Sequence, residues 1–187
     1  SATRVAELAA GNSPIDDVAD ARLAAAVAGG MRVVGVGGRE LAEADAIFVC
    51  VPTPVTPSKD PDLGPVLAAA ESVAAGLRAG HLIILQSTTF PGTTTGPFRE
   101  VLERGGLRAG VDFELAFAPE RVNPGDAASA SRTTPRLVGA TTPAGTARAA
   151  RLLAAINDRV VELPSPDHAE MAKLFENTFR NVNIALV

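Results

Sequence analysis

The chain has 187 residues, 47% hydrophobic and 20% charged, with a net charge of −4. That is a globular composition with room for one sizeable core, and its thinly spread Lys and Arg argue against sequence-independent binding to nucleic acid or an anionic membrane. A single cysteine excludes an internal disulfide and fits a reducing, cytoplasmic setting, and no apolar run approaches the roughly 18 residues that span a bilayer.

Helical patterns open the chain at Thr3–Ala10 and Asp20–Ala28. A strand is predicted over Arg32–Val36, running into Gly35, Gly37 and Gly38. A dinucleotide fingerprint needs Gly-x-Gly-x-x-Gly between a strand and a helix, with an acidic residue about twenty positions on. Counted from Gly35, the third glycine falls on Glu40, and the helix that follows is only about two turns long. The glycines therefore read as a turn and not as a phosphate site.

Strands follow at Ala46–Val51, Leu82–Gln86, Phe113–Phe117, Arg136–Val138 and Arg159–Glu162. Helices are predicted over Leu63–Arg78, Thr94–Arg104, Pro143–Ile156 and from Pro166 onward, where Ser165 is a hydroxyl N-cap and Pro166 suits the first helical position. The Thr53–Pro61 loop reads as ordered but exposed. Several strands are continuous apolar runs, as in a parallel sheet covered on both faces. The alternation is that of a doubly wound α/β fold. The chain opens on a helix pattern with no strand before it and ends inside an amphipathic helix with no stop signal, the pattern of a piece of a longer polypeptide.

In open α/β sheets, ligands bind beyond the carboxyl ends of the strands. Three successive strand ends carry polar sequences: AIFVCV into Pro52-Thr53-Pro54, LIILQ into Ser87-Thr88-Thr89-Phe90-Pro91-Gly92, and FELAF into Ala118-Pro119-Glu120-Arg121-Val122-Asn123-Pro124-Gly125. Parallel strands would bring all three to one edge. Singly, each is equally compatible with capping hydroxyls or a solvated turn. Glu120, after a rigid proline, suits a general base if partly buried, with Arg121 available to an anionic substrate; the same pair also reads as a surface ion pair. On the last helix, Lys173, Asn177 and Arg180 share a face at i, i+4 and i+7, while Phe175, Phe179, Val182 and Leu186 form a separate apolar stripe. The polar face suits an oxyanion or anionic ligand, or is solvated, with Glu170 placed to pair with Lys173. Cys50, inside an apolar strand, reads as inert packing. His81 and His168 lack partners at metal-ligand spacing, so no metal is expected.

The stretches ADAIFVCVPTP, STTFPGTT, FAPERVNPG and AEMAKLFENTFRNVNIAL, in this order and spacing, resemble the UDP-glucose/GDP-mannose dehydrogenase family, most closely its UDP-N-acetylmannosamine and UDP-N-acetylglucosamine branch. The resemblance covers essentially the whole chain. It implies an incomplete Rossmann-like, mainly parallel sheet over residues 1–164, lacking its first βα unit, with residues 165–187 starting a long connecting and dimerisation helix. It implies NAD-dependent four-electron oxidation of a UDP-sugar C6 alcohol to the uronate in polysaccharide biosynthesis, by a homodimer in the full-length enzyme. The nucleophilic cysteine is expected in a second domain beyond Val187, leaving this chain inactive alone. By the same resemblance, Arg4, Val51, Pro52, Thr53, Pro54, Ser87 and Thr88 meet the cofactor, with Thr88 also holding the catalytic water. Glu120 does acid/base work in thioester hydrolysis. Arg121, Val122 and Asn123 touch the sugar nucleotide, Lys173 and Asn177 steady the oxyanion and substrate, and Arg180 contacts substrate. Two other readings stand beside it: a 3-hydroxyacid or 6-phosphogluconate-type dehydrogenase, disfavoured by the Pro119-Glu120-Arg121 loop, and a non-catalytic nucleotide-sugar-binding or assembly module.

Overall fold

The computed structural model describes residues 2–16, 18–35, 39–120 and 132–187. Within them the centre of the sheet is built from apolar runs buried on both faces, while its outer strands are partly open. Strands β1 (Ala46–Val49), β2 (Leu82–Leu85), β3 (Glu114–Phe117), β4 (Arg136–Ala140) and β5 (Val160–Glu162) lie in that order across it. On one face Ile83, Leu85, Leu115 and Phe117 pack against helix α4 (Gly64–Ala74) and helix α5 (Arg99–Leu102). On the other, Leu82, Ile84, Ala116 and Ala140 meet Ala149 and Leu153 of helix α6 (Pro143–Leu153). Side-chain alternation along β2 thus feeds two cores, the requirement of a doubly wound sheet.

Strands β1, β2 and β3 are parallel and in register, Val49 beside Leu85 and Leu85 beside Phe117, so their carboxyl ends are level. The sheet is mainly parallel as expected, with β4 running against β3. That reversal brings the start of β4 to the edge where β1 to β3 end. The last helix, α7 (Pro166–Leu186), begins directly against β4: a Cβ on Gly139 would collide with the Ser165 carbonyl.

The Arg32–Val36 strand is not found. Residues 31–35 are irregular, with Met31 and Val34 about two-fifths exposed, because no described strand lies beside them to form a ladder. Val36 to Gly38 lie outside the described residues. Only the short helix α3 (Arg39–Glu43) follows. Helices α1 (Ala2–Ala9) and α2 (Asp20–Ala28) bury no residue, and Gly11, turning left-handed (φ 83°) after α1, comes close to Ala24 of α2. The helix predicted over Thr94–Arg104 is broken into a π turn (Thr94–Phe98), α5 and a 3₁₀ turn (Glu103–Gly105). Pro97 has no N–H to give, so the ladder widens and Phe98 N–H reaches back to the Thr93 carbonyl (3.1 Å).

Candidate active site at the strand ends

Three strand ends meet at one edge, and hydrogen bonds tie each to the next. Ser87, buried just past β2, accepts from the Val51 N–H (2.9 Å) and donates to the Val51 carbonyl (2.7 Å). It thereby sets the start of the Val51-Pro52-Thr53-Pro54 loop. Pro52 and Pro54 are exposed and Thr53 half-buried. That loop closes on itself through Thr56 N–H to Asp60 and Asp62 N–H to Pro54, so it is ordered and exposed as its sequence suggested. Thr88 is exposed, and its hydroxyl has no partner among the described residues.

Glu120 follows the buried Pro119 at the end of β3 and is 38% exposed. Its Oε2 accepts from Gln86 Nε2 (2.8 Å) and lies 2.5 Å from the guanidinium of Arg136. Arg136 is buried and also donates to the Pro119 carbonyl (3.1 Å). A guanidinium and an amide on one oxygen fix the carboxylate at the mouth of the edge, beyond a surface ion pair. Arg121, Val122 and Asn123 lie outside the described residues.

Cys50 departs from the expectation of a buried packing residue. It sits one residue beyond β1 and is exposed, its Sγ 3.5 Å from Gln86 Oε1. Burial of the thiol on its inner side, then the Glu120 charge, push its pKa up, against a smaller pull from Arg136. At neutral pH it is a thiol, a poor nucleophile.

Helix α7 lies against the loop that follows β2, through Glu170 and Asp167. Lys173 is buried and Asn177 half-buried on the same face, with Arg180 exposed one turn on. Glu170 does not pair with Lys173. It is fully buried and turns the other way, accepting from Thr94 Oγ1 (2.6 Å), Thr94 N–H (2.9 Å), Gly92 N–H (2.7 Å) and Thr89 Oγ1 (3.2 Å). Burial raises the Glu170 pKa, and the four donors pull against it. Lys173 instead lies 3.6 Å from Glu176, which is also 3.6 Å from Arg180. At the N-terminus of α7, Ser165 occupies the cap position, but its hydroxyl meets His168 Nδ1 (2.8 Å) and no backbone N–H. Arg4 stands apart from the strand ends on the peripheral α1, exposed beside Glu7 (3.7 Å).

Arg136 and Glu176 carry no signal in the sequence that marks them as part of this edge, and the pairing expected of Glu170 is corrected by its contacts. Gln86 was visible as a polar end to a buried strand. Arg136 was hidden because its place depends on β4 being antiparallel, and the separate partners of Glu170 and Glu176 because helical spacing alone does not say which neighbour a carboxylate chooses.

Among the described residues, the exposed Pro52 and Pro54 and the Thr88 hydroxyl stand at the strand ends, groups whose chemistry suits a flat, partly apolar ring such as a nicotinamide. The left-handed Gly92 between β2 and the π turn spends its N–H on Glu170 and does not offer it to a pyrophosphate. The model of the NAD-binding domain of the UDP-glucose/GDP-mannose dehydrogenase family matches residues 1–157, so the cofactor is NAD. A UDP-N-acetyl-D-mannosamine dehydrogenase of Pyrococcus horikoshii is 39% identical over 147 residues, 79% of this chain and 35% of that protein. A UDP-N-acetyl-D-glucosamine 6-dehydrogenase of Pseudomonas aeruginosa is 35% identical over 155 residues, 80% of this chain and 36% of that protein. The crystal structure of the NDP-N-acetyl-D-galactosaminuronic acid dehydrogenase of Methanosarcina mazei aligns with a TM-score of 0.89 at 34% identity, over 100% of this chain and 41% of that one. The chain thus spans about a third of the length of the curated relatives it matches.

Proposed function

We infer function from one premise: the chain belongs to the UDP-glucose/GDP-mannose dehydrogenase family, and it carries the NAD-binding domain. Residues 1–164 form that domain and residues 165–187 begin a connecting helix. The enzyme that carries the chain oxidises the C6 alcohol of a UDP-N-acetylhexosamine to the uronate in two hydride transfers, through a thioester on a cysteine outside this chain. NAD+, when bound, accepts each hydride.

The chain's own residues bind, orient and move protons. Val51, Pro52, Thr53 and Pro54 pack on the cofactor, Ser87 fixes their loop, and Arg4 is a further cofactor contact. Thr88 presents a hydroxyl to the water that attacks the thioester. Glu120 takes a proton from that water, and Lys173 and Asn177 steady the oxyanion that forms. Arg121, Val122, Asn123 and Arg180 contact the sugar nucleotide. The exposed apolar stripe of Phe175, Phe179, Val182 and Leu186 supports a homodimer packed along α7. None of the described helices is long and apolar enough to cross a membrane, which is compatible with a cytoplasmic enzyme.

The observation that carries this reading is the grip of Gln86 and Arg136 on Glu120 at the edge where three parallel strands end. Its test is Glu120→Gln in the full-length enzyme, which should accumulate a covalent sugar-nucleotide adduct by intact mass. Unchanged steady-state turnover would remove Glu120 from the reaction.

A further inference from the structure

Glu170 is a carboxylate with no exposure at all and, among the described residues, no cation beside it. Burying such a group is costly unless fixed donors satisfy it. Here all the donors come from one loop, some eighty residues away in sequence: two hydroxyls and two backbone N–H groups between Thr89 and Thr94. Hydroxyls rotate to suit a partner, but backbone N–H groups do not. The Gly92 N–H is aimed at Oε2 by a left-handed turn (φ 90°), and the Thr94 N–H is aimed at Oε1. The loop is therefore docked on α7 in one geometry. A second, exposed tie joins Thr95 to Asp167 in the first turn of the same helix (2.8 Å).

The two ends of this clamp carry different chemistry. Thr88 immediately precedes the clamped loop, and Lys173 lies one helical turn beyond Glu170. We propose that Glu170 is a positioning residue: by clamping the Thr89–Thr94 loop to α7, it fixes the Thr88 hydroxyl relative to the Lys173 amine. The proposal rests on the preceding reading, in which those two groups face the reacting centre. A fraction of an ångström of slack between them costs alignment without removing any group that binds.

The test is Glu170→Gln in the full-length enzyme, read by hydrogen exchange and steady-state kinetics. A glutamine must turn its NH2 toward at least one N–H that cannot rotate away. Exchange of the amides between Thr89 and Thr95 should rise about 10-fold, and kcat should fall about 10-fold, for the loss of one hydrogen bond to a charged group. KM for NAD+ and for the UDP-sugar should stay within about two-fold, since no binding group is lost. Faster loop exchange with unchanged kcat would make Glu170 a structural brace only and overturn the proposal, as would no change in either. If Glu170→Gln does not fold, Thr89→Val removes one buried donor, and unchanged kcat in that variant overturns the proposal equally. A wild-type enzyme that turns over no UDP-sugar defeats the preceding reading and this one together; an active wild type with an unaffected variant defeats this one alone.

Discussion

Arg136 and Glu120 meet because β4 runs against β3. The register pairs Ala116 with Ala140 and Phe117 with Gly139, and continuing it outward sets Glu120 opposite Arg136. A parallel β4 would have sent Arg136 to the far edge of the sheet. The buried guanidinium then holds both the Glu120 carboxylate and the Pro119 carbonyl before it. Replacing Arg136 with Met should lower kcat by at least about 10-fold and cost about 1.5–3 kcal/mol in urea denaturation, the worth of hydrogen bonds to a charged group. A variant with wild-type turnover would show that Glu120 holds its place without Arg136.

The same contact marks where sequence reading stopped. The runs at Leu82–Leu85 and Glu114–Phe117 were legible because burial on both faces leaves a continuous apolar signature, and so were the three polar strand ends. Strand direction leaves no such mark, so Arg136 looked like an ordinary strand start. Arg32–Val36 had strand composition, but a strand exists only by pairing. Along α7, periodicity placed Lys173 and Asn177 on one face correctly, yet could not tell that Glu170 reaches for the Thr89–Thr94 loop while Glu176 takes the lysine.

Cys50 is exposed but should be slow to alkylate. Its raised pKa leaves it protonated at neutral pH, so the iodoacetamide rate at Cys50, followed by peptide mass mapping, should lie below that of a free thiol at pH 8 and climb only above the ordinary thiol range of about 8.5. Glu120→Gln removes a charge that raises this pKa and should speed the reaction. An equal or slower rate in that variant would mean the Glu120 charge does not reach the sulfur.

Gly139 lies where α7 crosses β4, and an added methyl would meet the Ser165 carbonyl and the Pro166 nitrogen, backbone that cannot swing aside. Gly139→Ala should therefore cost about 1–3 kcal/mol of stability, the range for overpacking a tight core. Because the clash pushes the start of the helix that carries Lys173, kcat should fall as well. Stability at or above wild type would show that α7 shifts freely on the sheet.

Glu176 is the carboxylate among the cations that the sequence reading offered to an anionic substrate. It lies 3.6 Å from both Lys173 and Arg180 and is 25% exposed, so each pair is loose and partly hydrated. Such pairs are worth about 0.5–1 kcal/mol, and an incoming phosphate or oxyanion must compete with them. Glu176→Gln should thus lower KM for the UDP-sugar about two- to five-fold, the same energy expressed as affinity. The advantage should shrink as ionic strength rises, because the competing attraction is screened. A higher KM in the variant would place Glu176 on the side of the substrate, holding Lys173 and Arg180 in position instead of occupying them.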